Sequence, residues 1–325
     1  MEIKNNNNKQ IQLNYFDFND NSSCISIGTN NGFQIITCEP FNKHYFRNLG
    51  IRINIVEIYK SSNIIIYTES EKNSRLSNKL IIYDYYKQQK IKEMIFSGKI
   101  KLIKTIKDYL FVQTEIQLYI FKFENLFLLD TKEIDIYNYN NILIDFSVNL
   151  YIKVAYAEEN RDKISIWNSN IKKKLNINGD IDKISLLKFN LKGNILACAG
   201  DNRIMLYNST NGELILKKKN SDLENGKISC IDFSSDDKFL YISTINKTYG
   251  FIYLFDIEND KDSFFNISFF DDDYLGKFKV DNNYFSFRYF NGNIIIITSN
   301  GLYMKIKFDK NKECFQEIIR KKIFN

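Results

Sequence analysis

The sequence predicts an all-β fold, a seven-bladed β-propeller of the WD40-like type, on three observations. Short runs of alternating apolar and polar residues recur along the whole chain, and this alternation is the period of a half-buried strand. Aromatic residues make up 15% of the chain and isoleucine is abundant, a composition that favours strands over helices. The runs also end alike and at a regular spacing, as repeated blades do.

Each of these runs ends with a large residue, followed in most cases by Asp or Asn, as in Leu80–Asp84, Ile164–Asn168 and Ile252–Asp256. The equivalent large residues are Ile36, Tyr83, Phe121, Trp167, Tyr207, Phe255 and Phe308. Successive members lie 47, 38, 46, 40, 48 and 53 residues apart. The mean of about 45 residues is close to the length of one four-stranded blade. Seven such positions predict seven blades, with these side chains packed in the core.

An internal repeat supports the same architecture. Lys183–Asn190 aligns with Lys227–Ser234 at an offset of 44 residues, and Gly193–Cys198 aligns with Asp237–Ile242 at the same offset. Each copy has the pattern of a strand, a turn and a second strand. One blade cannot bury both of its faces alone, so a ring of blades is the stable arrangement.

The distribution of residues predicts one folded domain. We expect residues 1–10, which include four consecutive asparagines, to be a disordered N-terminus and residues 11–325 to form a single propeller. No Pro- or Gly-rich linker divides the chain, and Pro40 is its only proline. Neither a signal-peptide core nor the roughly 18 apolar residues of a spanning helix are present. We therefore expect a cytoplasmic protein that associates with membranes peripherally.

The reactive residues and the charge exclude several classes of function. His44 is the only histidine, which argues against histidine-based metal sites and acid–base catalysis. The five cysteines are scattered without a Cys-x-x-Cys pair, and we expect buried thiols. Since there is neither a Gly-rich phosphate loop nor a nucleophile with its own base, we expect no enzyme, cofactor or metal. The net charge of +6 permits acidic partners, but no nucleic-acid motif is present.

Both ends of the chain carry characteristic residue patterns. The first predicted blade contains Leu13–Phe18, Ile27–Thr29, Gly32–Ile35 and Cys38–Phe41, and the last contains Gly301–Phe308 and Glu313–Cys314. In this order the residues resemble the PROPPIN family, seven-bladed propellers that include the WIPI proteins and bind phosphoinositides in autophagy. The resemblance covers nearly the whole chain. It implies a peripheral membrane protein that binds phosphatidylinositol 3-phosphate, or the 3,5-bisphosphate, and recruits autophagy or organelle-membrane machinery.

The lipid-binding motif of that family is altered here. PROPPINs carry Phe-Arg-Arg-Gly or Leu-Arg-Arg-Gly between blades five and six, and each arginine points into one headgroup pocket. In this chain Lys217, Lys218 and Lys219 occupy the segment, and the resemblance implies that they bind lipid. The alternative is a solvated loop in a lysine-rich protein, which has a second such run at Lys172–Lys174.

Two registers between the lysines and the motif are open. With Leu216 as the first motif residue, Lys217 and Lys218 take the places of the arginines. Counting from Gly212 instead puts Lys219 and Asn220 there. Either way an arginine fork, which gives two parallel hydrogen bonds to phosphate, is replaced by point charges. Lipid binding should then be weaker, less isomer-selective and more sensitive to salt.

The other pocket positions of the family differ as well. A Ser and an Arg flank the first pocket, where this chain has Gly200 and Met205. Arg203 lies two residues before Met205 and hence on the same face of a strand, so it is our candidate replacement; the alternative is an ordinary exposed strand residue. A Thr and a His form the second pocket, where this chain has Phe251 and Tyr253.

Family members also insert an apolar loop of blade six into the bilayer. The corresponding segment here is Phe269–Tyr284. Within it, Tyr274, Leu275 and Phe278 are our candidates for membrane contact, since large apolar side chains can wedge into an interface. The preceding Asp271–Asp273 would be repelled by anionic lipid, and an ordinary surface loop is the alternative.

These observations leave two hypotheses. The first is a monomeric phosphoinositide-binding protein that works with autophagy-related partners at preautophagosomal, endosomal or other organelle membranes. The second is a lipid-independent propeller scaffold for protein–protein interaction that has lost its phosphoinositide pockets. We favour the first because the resemblance extends over nearly the whole chain.

Overall fold

The structure is all-β in the residues that it describes. The computed structural model describes residues 11–70, 76–134, 143–158, 161–178, 183–200, 203–219, 226–257 and 274–324. In these ranges 28 strands form seven four-stranded sheets, each made of four consecutive strands. None of these ranges contains a helix that could span a membrane. The predicted class and the number of sheets are confirmed, whereas the predicted disorder of residues 1–10 falls outside the described residues.

The chain divides into two compact units, Met1–Thr105 with Phe324–Asn325, and Ile106–Ile323. Sheet one comprises β1 (Leu13–Phe18), β2 (Cys24–Thr29), β3 (Gly32–Thr37) and β4 (Asn42–Asn48), and sheet two comprises β5 (Ile53–Ile58), β6 (Ile64–Glu69), β7 (Lys79–Asp84) and β8 (Gln89–Ile95). Both belong to the first unit, and β9 (Ile100–Ile106) ends at the boundary. A single domain over residues 11–325 remains a prediction.

The second unit holds the remaining strands. Sheet three continues with β10 (Tyr109–Thr114), β11 (Gln117–Lys122) and β12 (Phe127–Glu133). Sheet four comprises β13 (Ile144–Val148), β14 (Ile152–Ala157), β15 (Lys163–Asn168) and β16 (Lys173–Asn178), and sheet five comprises β17 (Ile184–Phe189), β18 (Ile195–Gly200), β19 (Arg203–Asn208) and β20 (Leu214–Lys219). Sheet six comprises β21 (Lys227–Phe233), β22 (Phe239–Ile245), β23 (Gly250–Asp256) and β24 (Gly276–Val280), and sheet seven comprises β25 (Phe285–Phe290), β26 (Asn293–Thr298), β27 (Leu302–Asp309) and β28 (Cys314–Lys322).

Burial explains why these segments form strands. The second strands are covered on both faces, and all six residues of β2 and of β18 are buried, which requires near-continuous apolar runs. The fourth strands are mostly exposed and tolerate polar residues, as in β4, β8 and β12. In the second unit the apolar core lies between facing sheets, for example between sheets five and six and between sheets six and seven.

The predicted strand ends occupy equivalent places. Each is the penultimate residue of the third strand of its sheet: Ile36, Tyr83, Phe121, Trp167, Tyr207, Phe255 and Phe308. Five of the seven are buried, while Trp167 and Phe308 are half-buried. The 44-residue repeat is also confirmed, because its two copies form the first two strands of sheets five and six.

The cysteines follow the prediction with one exception. Cys24, Cys38, Cys198 and Cys230 are buried thiols. Cys314 is exposed, so the expectation of a buried thiol is wrong there. The reason is its place at the start of β28, an outer strand whose residues are mostly exposed.

Carboxylates on the first strands connect neighbouring sheets of the second unit. Asp145 Oδ2 in β13 accepts a hydrogen bond of 2.7 Å from the N–H of Phe189 in β17. Asp232 Oδ2 in β21 accepts one of 2.8 Å from the N–H of Tyr289 in β25. Each contact satisfies a backbone donor and a carboxylate at the same time, and so fixes one first strand against the next.

Glu57 in β5 makes a contact of the same kind within the first unit, and it is fully buried. Its Oε1 accepts hydrogen bonds from the N–H and the hydroxyl of Thr105, both at 3.1 Å, and lies 3.4 Å from Lys104 Nζ. Lys104 also donates to Asp17 Oδ2 at 3.0 Å and to the Phe18 carbonyl at 2.7 Å. Burial raises the pKa of Glu57 to about 7, although the Lys104 charge acts in the opposite direction.

Candidate functional site

The lysine triplet lies on a strand. Lys217–Lys219 are the last three residues of β20, the fourth strand of sheet five. In the antiparallel register with β19, Met205 is opposite Lys217, Ile204 is opposite Lys218 and Arg203 is opposite Lys219. The solvated-loop alternative is therefore wrong for the backbone, because the ladder to β19 fixes it.

Arg203 and Lys217 are the predicted lipid-binding residues of sheet five whose side chains are described. Residues directly opposite each other share a face of a sheet, so Arg203, Met205 and Lys217 share one face. Lys217 is exposed and Arg203 is half-buried. The side chains of Lys218 and Lys219 lie outside the described part of the structure.

Core residues occupy the positions of the family's first pocket. Gly200 is the buried last residue of β18. Met205 is 2% exposed and packs in the apolar core between sheets four and five, where its Sδ accepts a hydrogen bond of 3.2 Å from the Tyr207 hydroxyl. A thioether offers a phosphate neither charge nor a hydrogen-bond donor. Among the described side chains of this group, the cations are those of Arg203 and Lys217.

Aromatic residues occupy the positions of the second pocket. Tyr253 is fully buried in the core between sheets five and six, and Phe251 packs against the same core. Their rings belong to a continuous row along β23: Tyr249 and Phe251 are 5.3 Å apart, Phe251 and Tyr253 are 6.0 Å apart, and Tyr253 and Tyr274 are 5.2 Å apart, measured between centroids. The side chains at the two positions of the second pocket, Phe251 and Tyr253, therefore pack in or against the apolar core and offer no polar pocket.

Two lysines that the sequence reasoning did not select lie over this aromatic row. The Nζ atom of Lys277 is 4.0 Å from the ring centroid of Phe251, and that of Lys279 is 4.8 Å from the centroid of Tyr249. Each such contact stabilises an ammonium over a ring by about 0.5–1 kcal/mol at an exposed site. The available signal was the Lys-Phe-Lys alternation at residues 277–279, which puts both lysines on one face of a strand.

The two basic pairs lie at the same end of adjacent sheets. Arg203 is the first residue of β19, and Lys217 is opposite the third residue of that strand. In the same way, Lys279 and Lys277 are opposite the second and fourth residues of β23. Arg203 and Lys217 share the face of Met205, which packs toward sheet four, whereas Lys277 and Lys279 lie over Phe251 and Tyr249 on the side of sheet six that packs toward sheet five. The two pairs therefore share an end of adjacent sheets but lie on different faces. We refer to Arg203, Lys217, Lys277 and Lys279 as the basic end.

The predicted membrane-contact residues have different environments. Tyr274 is half-buried against Tyr253, and Phe278 is half-buried with its ring 6.2 Å from that of Phe315. Leu275 is 42% exposed. The expectation of a loop over 269–284 is wrong for Gly276–Val280, which form β24, while residues 269–273 fall outside the described ranges. Membrane contact by Tyr274, Leu275 and Phe278 remains a prediction, and exposure favours Leu275.

Sequence comparisons agree on one family. The PROPPIN family model matches residues 12–290. Autophagy-related protein 18 of Kluyveromyces lactis is 26% identical over 306 residues, which cover 73% of this chain and 60% of that protein. The protein of the same name from Candida glabrata is 35% identical over 128 residues, which cover 39% of this chain and 25% of that protein. The chain therefore spans less than two thirds of the length of these relatives.

Solved structures share the fold. Hsv2 of Kluyveromyces marxianus matches with a TM-score of 0.78 at 16% identity, over 97% of this chain and 100% of that one. KlAtg21, in a complex with the coiled coil of AgAtg16, gives a TM-score of 0.77 at 16% identity, over 97% of this chain and 100% of that one. The β-propeller domain of Myceliophteria thermophila Swd1 gives 0.61 at 10% identity, over 88% and 93%. The seven sheets are thus the blades of a β-propeller, as the sequence predicted.

Proposed function

The chain belongs to the PROPPIN family, and from this premise we propose that it is a peripheral membrane protein that binds phosphatidylinositol 3-phosphate and recruits autophagy machinery. The 3,5-bisphosphate is a second ligand of the same chemistry. The similarity to Autophagy-related protein 18 supports a role in autophagy. Because PROPPINs are non-enzymatic binding proteins, the proposed activity is binding, at preautophagosomal, endosomal or other organelle membranes.

The observation that carries the proposal is the basic end of sheets five and six. Four cations lie there on strand positions of two adjacent sheets. Each basic residue at an anionic membrane surface contributes about 1 kcal/mol, so the group supplies roughly 4 kcal/mol of attraction. Lysine gives charge without the two-pronged geometry of arginine. We therefore expect binding that depends on the phosphate charge, distinguishes isomers poorly and weakens with salt.

Vesicle flotation tests the proposal directly. The protein is mixed at low salt with vesicles of phosphatidylcholine alone, or with phosphatidylinositol, its 3-phosphate or its 3,5-bisphosphate added. We expect flotation with the two phosphorylated lipids and its loss in the variant R203Q/K217Q/K277Q/K279Q. The variant K43Q/K87Q/K92Q/K173Q removes four exposed lysines elsewhere on outer strands or turns and should still float.

A lipid-independent scaffold is the second candidate function. It is favoured by the burial of Met205 and Tyr253, because these two of the four positions that hold polar pocket residues in the family belong to the core here. Absence of phosphoinositide-dependent flotation at low salt would overturn the lipid proposal and support the scaffold. Flotation that survives loss of the basic end would instead place the lipid site elsewhere on the chain.

A further inference from the structure

A groove between sheets six and seven lies apart from the basic end. Its volume is about 580 Å³, within the range of roughly 300–1,000 Å³ that is usual for ligand sites. Sheet six contributes Phe239, Tyr241 and the buried Leu254, and sheet seven contributes Tyr289, Phe308 and Ile318. The site therefore has aromatic and aliphatic walls on both sides.

The aromatic walls leave apolar surface available to a ligand. Tyr241 and Tyr289 stack across the two sheets with centroids 5.5 Å apart and an angle of 24° between their planes. Phe239, Tyr289 and Phe308 are only half-buried, and Ile318 on the outer strand β28 is 49% exposed. Partly exposed aromatic side chains beside a buried floor are typical of pockets that hold an apolar anchor residue of a partner.

The two carboxylates of the groove are occupied by their own turns. Asp236 Oδ1 accepts hydrogen bonds from the Ser234 hydroxyl and from the N–H of Lys238. Asp309 Oδ2 accepts one of 3.0 Å from the Gln316 amide and lies 4.0 Å from the ammonium of Lys312. These contacts hold both carboxylates against their own turns, and the Lys312 ammonium partly offsets the charge of Asp309.

The two lysines of the groove are exposed to solvent. Lys307 and Lys310 are exposed, and neither forms an ion pair with another described residue. The Nζ atom of Lys310 is 5.2 Å from the centroid of the Phe239 ring, directly beside the aromatic wall. The groove thus presents ammonium groups next to apolar surface, while its carboxylates are already engaged.

From this charge pattern we propose that the groove binds an acidic peptide segment of a partner protein. An aromatic or aliphatic side chain of the peptide packs between Phe239, Tyr289 and Phe308, and its carboxylates pair with Lys307 and Lys310. Ile318 extends the apolar wall toward the outer edge of sheet seven. The inference is independent of lipid binding, because none of these residues belongs to the basic end.

Selection from a peptide library tests this proposal with the full chain and without lipid. Random dodecapeptides displayed on phage are selected on the immobilised protein at about 0.15 M NaCl, where surface charges are screened beyond about 8 Å. Selected peptides are then synthesised with a fluorescein label and measured by anisotropy. We expect sequences that combine carboxylates with an aromatic or aliphatic residue.

Charge and apolar variants of the groove decide the result. K307E/K310E and, separately, I318D should each weaken binding by about tenfold or more, because attraction becomes repulsion and apolar contact is lost. The controls are K43E/K87E and I91D, which make the same exchanges at exposed positions of the first two sheets. Thermal unfolding of each variant shows that the groove itself is preserved. Failure to select peptides, selection of basic peptides, or equal binding to groove and control variants would overturn the proposal.

Discussion

Buried lysines in this protein serve the fold. Lys104, whose side chain is 16% exposed, is held between the carboxylates of Asp17 and Glu57. Lys153 is 7% exposed, and its ammonium donates to three neutral acceptors at 2.8–3.2 Å, namely Gly193 O, Ser209 Oγ and Thr210 Oγ1. Burial lowers the pKa of Lys153. Both ammonium groups donate their hydrogen bonds to acceptors within the protein.

The lysines of the basic end differ from these in their exposure and in their place within the sheet. Lys217 and Lys279 are exposed, and Lys277 and Lys279 contact the faces of aromatic rings. Lys279 also lies 3.5 Å from the carboxylate of Asp281, in an ion pair that is open to solvent. Lys104 and Lys153 lie on first and second strands, whereas these three lie on fourth strands. The number of lysines therefore says little about anion binding, because the burial of each lysine determines whether its ammonium group reaches solvent.

The largest expected effect is the loss of a buried lysine. Lys104→Met leaves Glu57 without its cation in a fully buried site, and removing one partner of a buried pair costs about 3–5 kcal/mol. Urea unfolding followed by circular dichroism at about pH 8, where Glu57 is ionised, measures the change. The matched variant Lys279→Met on the exposed strand should change the free energy of unfolding by less than about 1 kcal/mol. Equal effects of the two variants would remove the distinction drawn between buried and exposed lysines.

The buried carboxyl makes the same region sensitive to pH. Because the pKa of Glu57 is raised from 4.5 to about 7 in the folded state, the folded protein holds this proton more tightly than the unfolded chain. The resulting stabilisation is complete below about pH 4.5 and is lost as the pH rises through about 7, a change of about 3 kcal/mol at 1.36 kcal/mol per pKa unit. Glu57→Gln keeps an acceptor for Thr105 but cannot titrate.

Urea unfolding at several pH values compares the two proteins. The Gln variant should lose the part of the slope between about pH 4.5 and 7.5 that Glu57 causes. Parallel curves for wild type and variant would show that Glu57 does not titrate in this range. Substitutions in the basic end should leave the slope unchanged.

Neutralising the exposed lysines should affect membranes and spare the fold. K277Q/K279Q removes two charges from the basic end, which lowers membrane attraction by about 2 kcal/mol, or about 30-fold in the partition coefficient. Vesicle sedimentation with phosphatidylinositol 3-phosphate measures the coefficient. The matched variant K87Q/K92Q alters exposed lysines of sheet two and should bind like the wild type. A similar loss in both variants would mean that net charge alone, and not the basic end, determines binding.

The smallest expected effect concerns the ring beneath Lys277. Phe251→Leu keeps an apolar side chain but removes the π-face, which should cost about 0.5–1 kcal/mol through Lys277. A double-mutant cycle with K277Q, measured by urea unfolding, isolates this coupling. Zero coupling would show that the ring does not support the ammonium.

Local patterns in the sequence predicted the fold well. Tyr207 and Phe255 end the third strands of their sheets as expected, since strand periodicity and repeat length are properties of short segments. The loop expected over 269–284 was wrong in part because the three aspartates at 271–273 obscured the alternation that begins at Gly276. The short alternation of β24 predicts a strand only weakly, whereas three consecutive aspartates strongly suggest a loop.

The fate of individual side chains was much harder to predict. Lys104 contacts Asp17, 87 residues earlier in the chain, and only the paired and packed sheets reveal this contact. Likewise, the aromatic row under Lys277 depends on the register between β23 and β24. Sequence reasoning therefore selected Lys217 and Arg203 through family resemblance but did not select Lys277 and Lys279, whose importance comes from pairing.

The carboxylate contacts between first strands also affect how the chain assembles as it is made. In each case the acceptor belongs to the earlier sheet and the N–H donor to the later one. The pairs are Glu57 with Thr105, Asp145 with Phe189 and Asp232 with Tyr289, and their members are 48, 44 and 57 residues apart in the chain. In these three cases the carboxylate can reach its N–H partner only after roughly one further blade length has been synthesised.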